Sequence, residues 1–533
     1  MMHHPTRRTL LGGAFGAAIA GLPGHGHAAD AAGTPGNTLK IGMAAPFTTL
    51  DPHLQSNAPN NAMANHIFDA LITNDETSRS TPGLAQSWRL IDDTHWELTL
   101  RPNVTFTDGT PFTAQDAIVS LNRATTLPSM ASFRTYTRSI KAMTAPDPHT
   151  LVIETTRPDP LLLNSLSRIH IIAAKFKDAP TEDFNSGRAA IGTGPFVFQT
   201  YVPGSHLILT RNDAWWGAKQ PWATVHLQIA TDRGARLASL LSGDRDIIEA
   251  VPTEAEARVR TDPKLNLISG VSSRLVYLAM DQHNDIAQYV TGRDGKPLDR
   301  NPLKDLRVRQ ALDMAINRQA IVDRVMQGNA VAASQFLPPG GRGNAPDVQP
   351  TRYDPEKAKA LLAQAGYPNG FGITLHGPND RYINDGKIVQ AVAQMFSRIG
   401  IETRAEVMPW SVYASKSGTN NFSVMLSSWG VNTGETSNPL SSLVATQDRS
   451  AGFGEANEGR YTNPALDTKL KQALGIMDDD KRNQMLGQAC SLAFHDTAIL
   501  PLHHEKSVLA ARKGLTYATR ADQYTLAMGV GRA

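Results

Sequence analysis

Between Gly83 and Arg123 the chain reads GLAQSWRLIDDTHWELTLRPNVTFTDGTPFTAQDAIVSLNR, and the spacing of its apolar positions changes along the way. Trp88 and Leu90, then His95, Glu97 and Thr99, alternate with Arg89, Trp96, Leu98 and Leu100. A period of two marks a half-buried strand pair. Asp92-Asp93-Thr94 is the polar turn between the two strands. A second turn, Thr107 to Pro111, follows the short run Val104-Thr105-Phe106. The period then lengthens to that of a helix, with Ala117, Ile118 and Leu121 on one face. Thr113 reads as its N-cap, and Asp116 favours the positive helix end. The pattern predicts two strands and a helix packed as a unit.

The same reading extends to the rest of the chain. Leu39 to Met43 predicts a strand, Phe47 to Pro52 (FTTLDP) a loop, and Asn60 to Leu71 a helix ended by Asn74. Leu151-Val152-Ile153 is a strand, whereas Leu161-Leu162-Leu163 fits a strand or a helical turn. A glycine-rich turn, Ile191 to Pro195, enters the strand Phe196-Val197-Phe198, and Leu207 to Trp216 is a strand running into a turn. From Val276 the character changes. Tyr277 to Asp281 is a strand, and helices then start at Asp305, Asn317 and Asp354-Pro355, the last two closed by Gly328 and Gly366. Ile388, Ala391, Val392, Met395, Phe396 and Ile399 share a helical face before the strand Ile401 to Val407. Helix and strand in alternation predict an α/β lobe. Asn420 to Trp429 returns as a strand, Gly430 to Pro439 is a polar loop, and Leu466 to Leu474 and Lys481 to Phe494 are helices. Thr497 to Leu502 predicts a late strand crossing back to the first lobe.

Composition narrows the class. With 533 residues the chain can bury a large core in two or three domains. A net charge of +3 gives no argument for nucleic acid or a membrane surface. The one cysteine, Cys490, excludes an intrachain disulfide and a cysteine-rich metal site, and its apolar flanks predict a buried, inert thiol. Thr6-Arg7-Arg8-Thr9-Leu10-Leu11 is a twin-arginine pattern, followed by an uncharged stretch and small residues around Ala28 to Ala32. It predicts a cleaved signal over residues 1–32 and a mature protein free in a periplasm. The apolar core falls short of the ~20 residues that span a bilayer, and no cysteine near the cleavage region could take a lipid.

Catalytic patterns are missing. There is no GxSxG, and Ser272 and Ser273 sit in GVSSR. There is no HExxH. His503-His504-Glu505 lies on a predicted strand, where adjacent side chains point to opposite faces, so the two histidines read as packing and surface residues rather than metal ligands. Gly192-Thr193-Gly194 lacks the spacing of a phosphate-binding loop. No metal or cofactor is expected.

Six blocks, in order, carry a resemblance over nearly the whole chain. They are FTTLDP, LAQSW…DGTPFTAQD, TGPF, the block from PLKDLRVRQALDMAINRQ to FLPPG, YDPEKAKALLAQAGYPNGF, and ILPLHHE. Together they resemble the family 5 periplasmic solute-binding proteins, receptors for dipeptide, oligopeptide, glutathione and nickel ABC importers. The resemblance implies an α/β, two-lobed "Venus flytrap" fold with an extra subdomain in the first lobe. The first lobe would span 37–275 with the subdomain at about 75–190, the second 276–494, and 495–533 would return to the first. Ligand residues would come from the lobe interface: Phe47, Thr48, Thr49, Thr193 and Gly194 on one side, Arg381, Tyr382, Trp410 and Trp429 on the other. For Trp410 and Trp429, core packing is the competing role. Peptide receptors of the family place an aspartate shortly after the strand-ending Trp-x-Gly, to pair with the ligand's ammonium. Here Trp429-Gly430-Val431-Asn432-Thr433-Gly434-Glu435 has Asn432 near that place and its acid later, at Glu435, more like the glutathione-binding branch. Glu435 either meets the ligand, or points to solvent or caps the turn before Pro439. The implied function is capture of a glutathione-like or other modified peptide by a monomer that delivers it to an ABC permease and its ATPase subunits. A nickel-chelate, haem or opine receptor is the alternative, and an exported hydrolase a more distant one.

Overall fold

The computed structural model describes residues 37–129, 131–431 and 433–533. The twin-arginine stretch and Asn432 therefore lie outside the described residues. Two long strands, Leu265–Met280 and Leu500–Arg512, run antiparallel down the middle of a twelve-stranded sheet. On the flank of Leu500–Arg512 lie, in order, Ile247–Glu249, Thr38–Met43, Thr224–Ile229, His206–Arg211 and Phe196–Val202. On the flank of Leu265–Met280 lie Val424–Gly430, Gly372–Pro378 and Val290–Thr291. The two flanks pack separate cores. Leu39, Ile41, Phe47, Phe196, Leu207 and Leu227 fill the first. Leu278, Val308, Leu312, Leu375, Val392 and Leu426 fill the second, and a further cluster around Tyr413, Leu443 and Leu486 backs it.

The ladder between the long strands slips between the pairs Val271↔Lys506 and Leu275↔His504. Ser272 and Ser273 sit in this bulge, where an extra residue bends a strand. Both hydroxyls are buried and committed: Ser272 donates to the Glu505 carbonyl (2.8 Å), Ser273 to those of Val431 (2.7 Å) and Ala521 (3.0 Å). The predicted second-lobe strand thus begins eleven residues earlier than Val276, at Leu265, and belongs to both lobes.

The opening stretch folds as its pattern predicts. His95–Leu100 is an inner strand of a four-stranded sheet and alternates, burying Trp96, Leu98 and Leu100. Ala85–Asp92 is the edge strand and buries only Ala85, which is why the alternation read from Trp88 and Leu90 is weaker there. The helix Ala114–Thr126 starts as predicted, with the Asp116 carboxylate accepting from the Thr113 amide (2.8 Å). Its Arg123 reaches out of the subdomain and clamps Asp51 of FTTLDP through two 2.7 Å bonds. Burial alone would raise the Asp51 pKa, but the Arg123 guanidinium outweighs it and holds the carboxyl below its ordinary value. Arg123 also donates to His53 Nδ1 (3.1 Å), which leaves Nε2 to donate to the His170 carbonyl (2.8 Å). The subdomain is thereby keyed to the loop after the first strand.

Several local expectations shift. The helix at Asn60 runs Ala58–Ile67 and is followed by the strand Ile72–Asn74, so Asn74 pairs in a hairpin rather than ending a helix. Leu162–Leu166 is a helix. His503 and His504 are both buried, so neither is a surface residue. No helix among the described residues is long and apolar enough to cross a membrane.

Candidate ligand-binding site

A cavity of about 550 Å³ opens where the first strand, the two long strands and the second lobe meet. The first lobe contributes Met43, Pro46, Asn57, Ala62 and Glu249, and the C-terminal segment adds Arg520, Gln523 and Tyr524. Arg274 and Glu505 come from the long strands, and Arg381 and Tyr382 from the loop after Gly372–Pro378. The wall therefore mixes guanidinium groups with two carboxylates beside apolar surface, the composition expected of a site that fixes a small polar molecule. A second cavity of about 440 Å³ lies between the hairpin turn Glu76 to Arg79, the bulge serines and Leu337 to Arg342.

The two carboxylates of the larger cavity are held differently. Glu249 accepts at 2.6 Å from the Ala44 amide and at 2.7 Å from the Thr525 hydroxyl. Glu505 has only long contacts, 3.4 Å from the Ile383 amide and 3.5 Å from the Gln523 amide, with Arg274 at 3.7 Å. Burial raises the pKa of both. Arg274 is turned to Gln523 Oε1 (2.7 Å) and the Ser428 hydroxyl (3.2 Å). The Arg381 guanidinium lies over the Trp410 ring, 5.1 Å from its centroid, and Tyr382 meets the same ring edge-on at 6.2 Å.

The expected site residues divide into three groups. Arg381 and Tyr382 line the larger cavity and Gly434 the smaller, with Trp410 supporting Arg381 from behind. Gly434 has φ +69°, and a Cβ there would stand 2.9 Å from the Ser78 carbonyl oxygen, so only glycine lets the second lobe come this close to the subdomain. A second set is engaged inside a lobe. Phe47 is fully buried beside Tyr201. The Thr49 hydroxyl donates to Asn185 (3.0 Å), and that of Thr193 donates to Asp69 (3.1 Å). Asp69, raised to about 6 by burial, also takes both Trp215 and Trp216 ring N–H groups. Gly194 packs on the end of the helix Ala58–Ile67, its amide bonded to the Ile67 carbonyl (3.0 Å). Trp429 is half-buried and donates to Asn438 (2.7 Å). Thr48 alone of the first-lobe set is exposed.

The loop acid has found a cation of its own. Glu435 is 1% exposed and its Oε2 accepts from Arg482 Nε (3.1 Å) and Nη2 (3.0 Å), on the helix Asp479–His495. The Thr433 hydroxyl closes the turn on the Glu435 carbonyl (3.0 Å). Glu435 therefore does not face solvent, and its Oε1 is buried with no hydrogen-bond partner. Arg274, Glu249 and Glu505 were not anticipated. For Arg274 the signal is a single charge beside an apolar strand run, as in SSRLVYLAM, whereas Glu505 stands in the polar run His503 to Ser507 of LPLHHEKSVLAA.

Comparison with known proteins bears on the family and the fold. The profile "Bacterial extracellular solute-binding proteins, family 5 Middle" matches residues 79–451. Heme-binding protein A of Haemophilus influenzae is 26% identical over 480 residues, covering 83% of this chain and 82% of its own. The glutathione-binding protein GsiB of Salmonella paratyphi A is 28% identical over 485 residues, covering 89% and 90%. Among solved structures, HbpA2 from Haemophilus parasuis superposes with a TM-score of 0.79 at 24% identity, over 93% of this chain and all of that one. The periplasmic binding protein DppA from Helicobacter pylori, in complex with the peptide STSA, gives 0.75 at 22%, over 93% and 98%. The chain belongs to the bacterial extracellular solute-binding proteins of family 5.

Proposed function

We propose that this protein is the periplasmic receptor of an ABC importer and that its cargo is a peptide-like molecule, glutathione or another modified peptide. The observation that carries this reading is the cavity between the lobes, whose wall holds Arg274, Arg381 and Arg520 together with Glu249 and Glu505. A peptide with free ends bears both signs of charge, and charges of both signs in one wall recognise it while rejecting neutral solutes. The glutathione-binding and peptide-bound relatives support the same class of cargo. The bulge at Ser272-Ser273 supplies a place for the lobes to swing about, as hinge closure requires. The bound receptor then presents its cargo to the permease, whose ATPase subunits drive transport.

Glutathione, and a set of di- and tripeptides, should be titrated against the purified protein. A true ligand stabilises the folded state by about 2.7 kcal/mol at a hundredfold excess over Kd, so the melting temperature will rise with its concentration. Small-angle scattering will show a smaller radius of gyration in its presence. Tight binding with an unchanged radius would remove the closing mechanism.

The export route is a second part of the proposal. The twin-arginine translocon reads an arginine pair as an address. Replacing Arg7 and Arg8 together with lysine will leave precursor in the cytoplasm, seen by fractionation and immunoblot. Undiminished periplasmic yield would refute the route.

A further inference from the structure

We propose that Glu505 is the acceptor for the ligand's primary ammonium group, with Arg381 receiving a carboxylate of the same ligand; this rests on the peptide-like cargo proposed above. Glu505 is 4% exposed and lies in the wall of the larger cavity. A buried carboxylate is normally satisfied by close donors or a cation, because losing its hydration is otherwise costly. Glu505 has none within 3.4 Å. Its neighbour Arg274, the nearest cation, spends its Nε on Gln523 instead.

Glu249, the other carboxylate of this wall, has a donor at 2.6–2.7 Å on each oxygen. Glu435 is ion-paired with Arg482 through Oε2 and, although its Oε1 is buried without a partner, it lines neither cavity. That leaves Glu505 as the carboxylate of the cavity wall with capacity to spare. For the opposite charge, Arg381 is exposed and braced on Trp410; it acts on Glu505 through the field of its charge but makes no direct ion pair among the described residues. A molecule carrying an ammonium and a carboxylate can satisfy both groups at once. Glu505 also sits at the bulge, one residue from Lys506, where the ladder with Leu265–Val271 ends, and against the Ile383 amide. An ammonium bound there touches both sides of the hinge.

Isothermal titration at pH 7 tests this with glutathione and a tripeptide, each with a free and an acetylated amine. The wild-type protein should bind the free amines at least tenfold more tightly than the acetylated forms. In Glu505→Gln the free amines should lose tenfold or more and the preference should fall below threefold, while Glu256→Gln, at a buried acid that lines neither cavity, keeps it. Thermal melts without ligand confirm that each variant is folded. If the wild type binds both forms equally, Glu505 is not an ammonium acceptor whatever the variants do, and the peptide-like cargo still stands. A Glu505→Gln protein that keeps the full preference overturns the assignment in the same way. If the wild type binds none of the four probes, the cargo reading fails and takes this inference with it.

Discussion

Acidification from pH 7 to pH 5 will lower the stability of this protein while its exposed carboxylates are still largely ionised. His53, His66, His376 and His504 are buried with pKa values lowered to about 4, and His170 and His503 to about 3. Burial is the leading cause in each, since a charged imidazole loses its hydration there. The direction follows from linkage. The unfolded chain takes up protons as pH falls through 6.5, while the folded chain stays neutral at these rings until about 4 or below. The unfolded state therefore binds more protons in that window, and stability falls with pH. Each pKa unit is worth ~1.4 kcal/mol, so one buried histidine accounts for up to roughly 3 kcal/mol. Asp69, raised to about 6, Glu458, raised to about 7, and Glu249, Glu256 and Glu505, raised in the same direction, work the other way because burial favours their protonated forms, and they offset part of the loss. Urea midpoints at pH 7, 6, 5 and 4.5 measure the effect, and His503→Leu, at a ring whose nitrogens find no partner, should flatten the slope by about one proton. A midpoint unchanged between pH 7 and 5 would contradict the account.

The second large effect is expected at Arg482. This side chain is 3% exposed and binds Glu435, Asp479 and the Ile476 carbonyl (3.1 Å). Arg482→Ala leaves the Glu435 carboxylate buried with no cation, and breaking a buried pair from one side costs about 3–5 kcal/mol. Chemical denaturation should show that loss. Glu435→Gln should cost less, because the amide oxygen can still accept from Arg482 and Asp479 still balances the guanidinium. Where both variants are folded, glutathione affinity should stay within threefold of the wild type. A tenfold weaker complex in Glu435→Gln would return that residue to the ligand.

The fold was legible wherever its signals are local. The hairpin and helix of the opening stretch, the caps at Asp305, Asn317 and Asp354, and the glycine stops at Gly328 and Gly366 all stand in sequence beside the residues they act on. The start of the strand Leu265–Met280 was not, because SGVSSR breaks the apolar alternation where the bulge requires small and polar residues. The site was only partly legible for a related reason. Arg381 and Tyr382 could be placed from the resemblance, yet the partners that engage the other candidates are remote. Thr193 meets Asp69 across 124 positions, Thr49 meets Asn185 across 136, and Glu435 meets Arg482 across 47. A charge in an apolar strand shows that something must meet it. It does not show whether that partner is another side chain or a bound molecule.

The position of Leu500–Arg512 between Ile247–Glu249 and Leu265–Met280 also fixes when the molecule can finish assembling. Until this strand is synthesised, the sheet exists as two halves, each ending in an open edge. Unpaired edges recruit strands from other chains, so a nascent or truncated chain lacking residues 500–512 carries two adhesive borders at once. Both close in a single step when the last strand inserts. Native topology is therefore reached only after almost the whole chain has been made, and the two strands that flank the gap, rather than either core, stay unpaired longest.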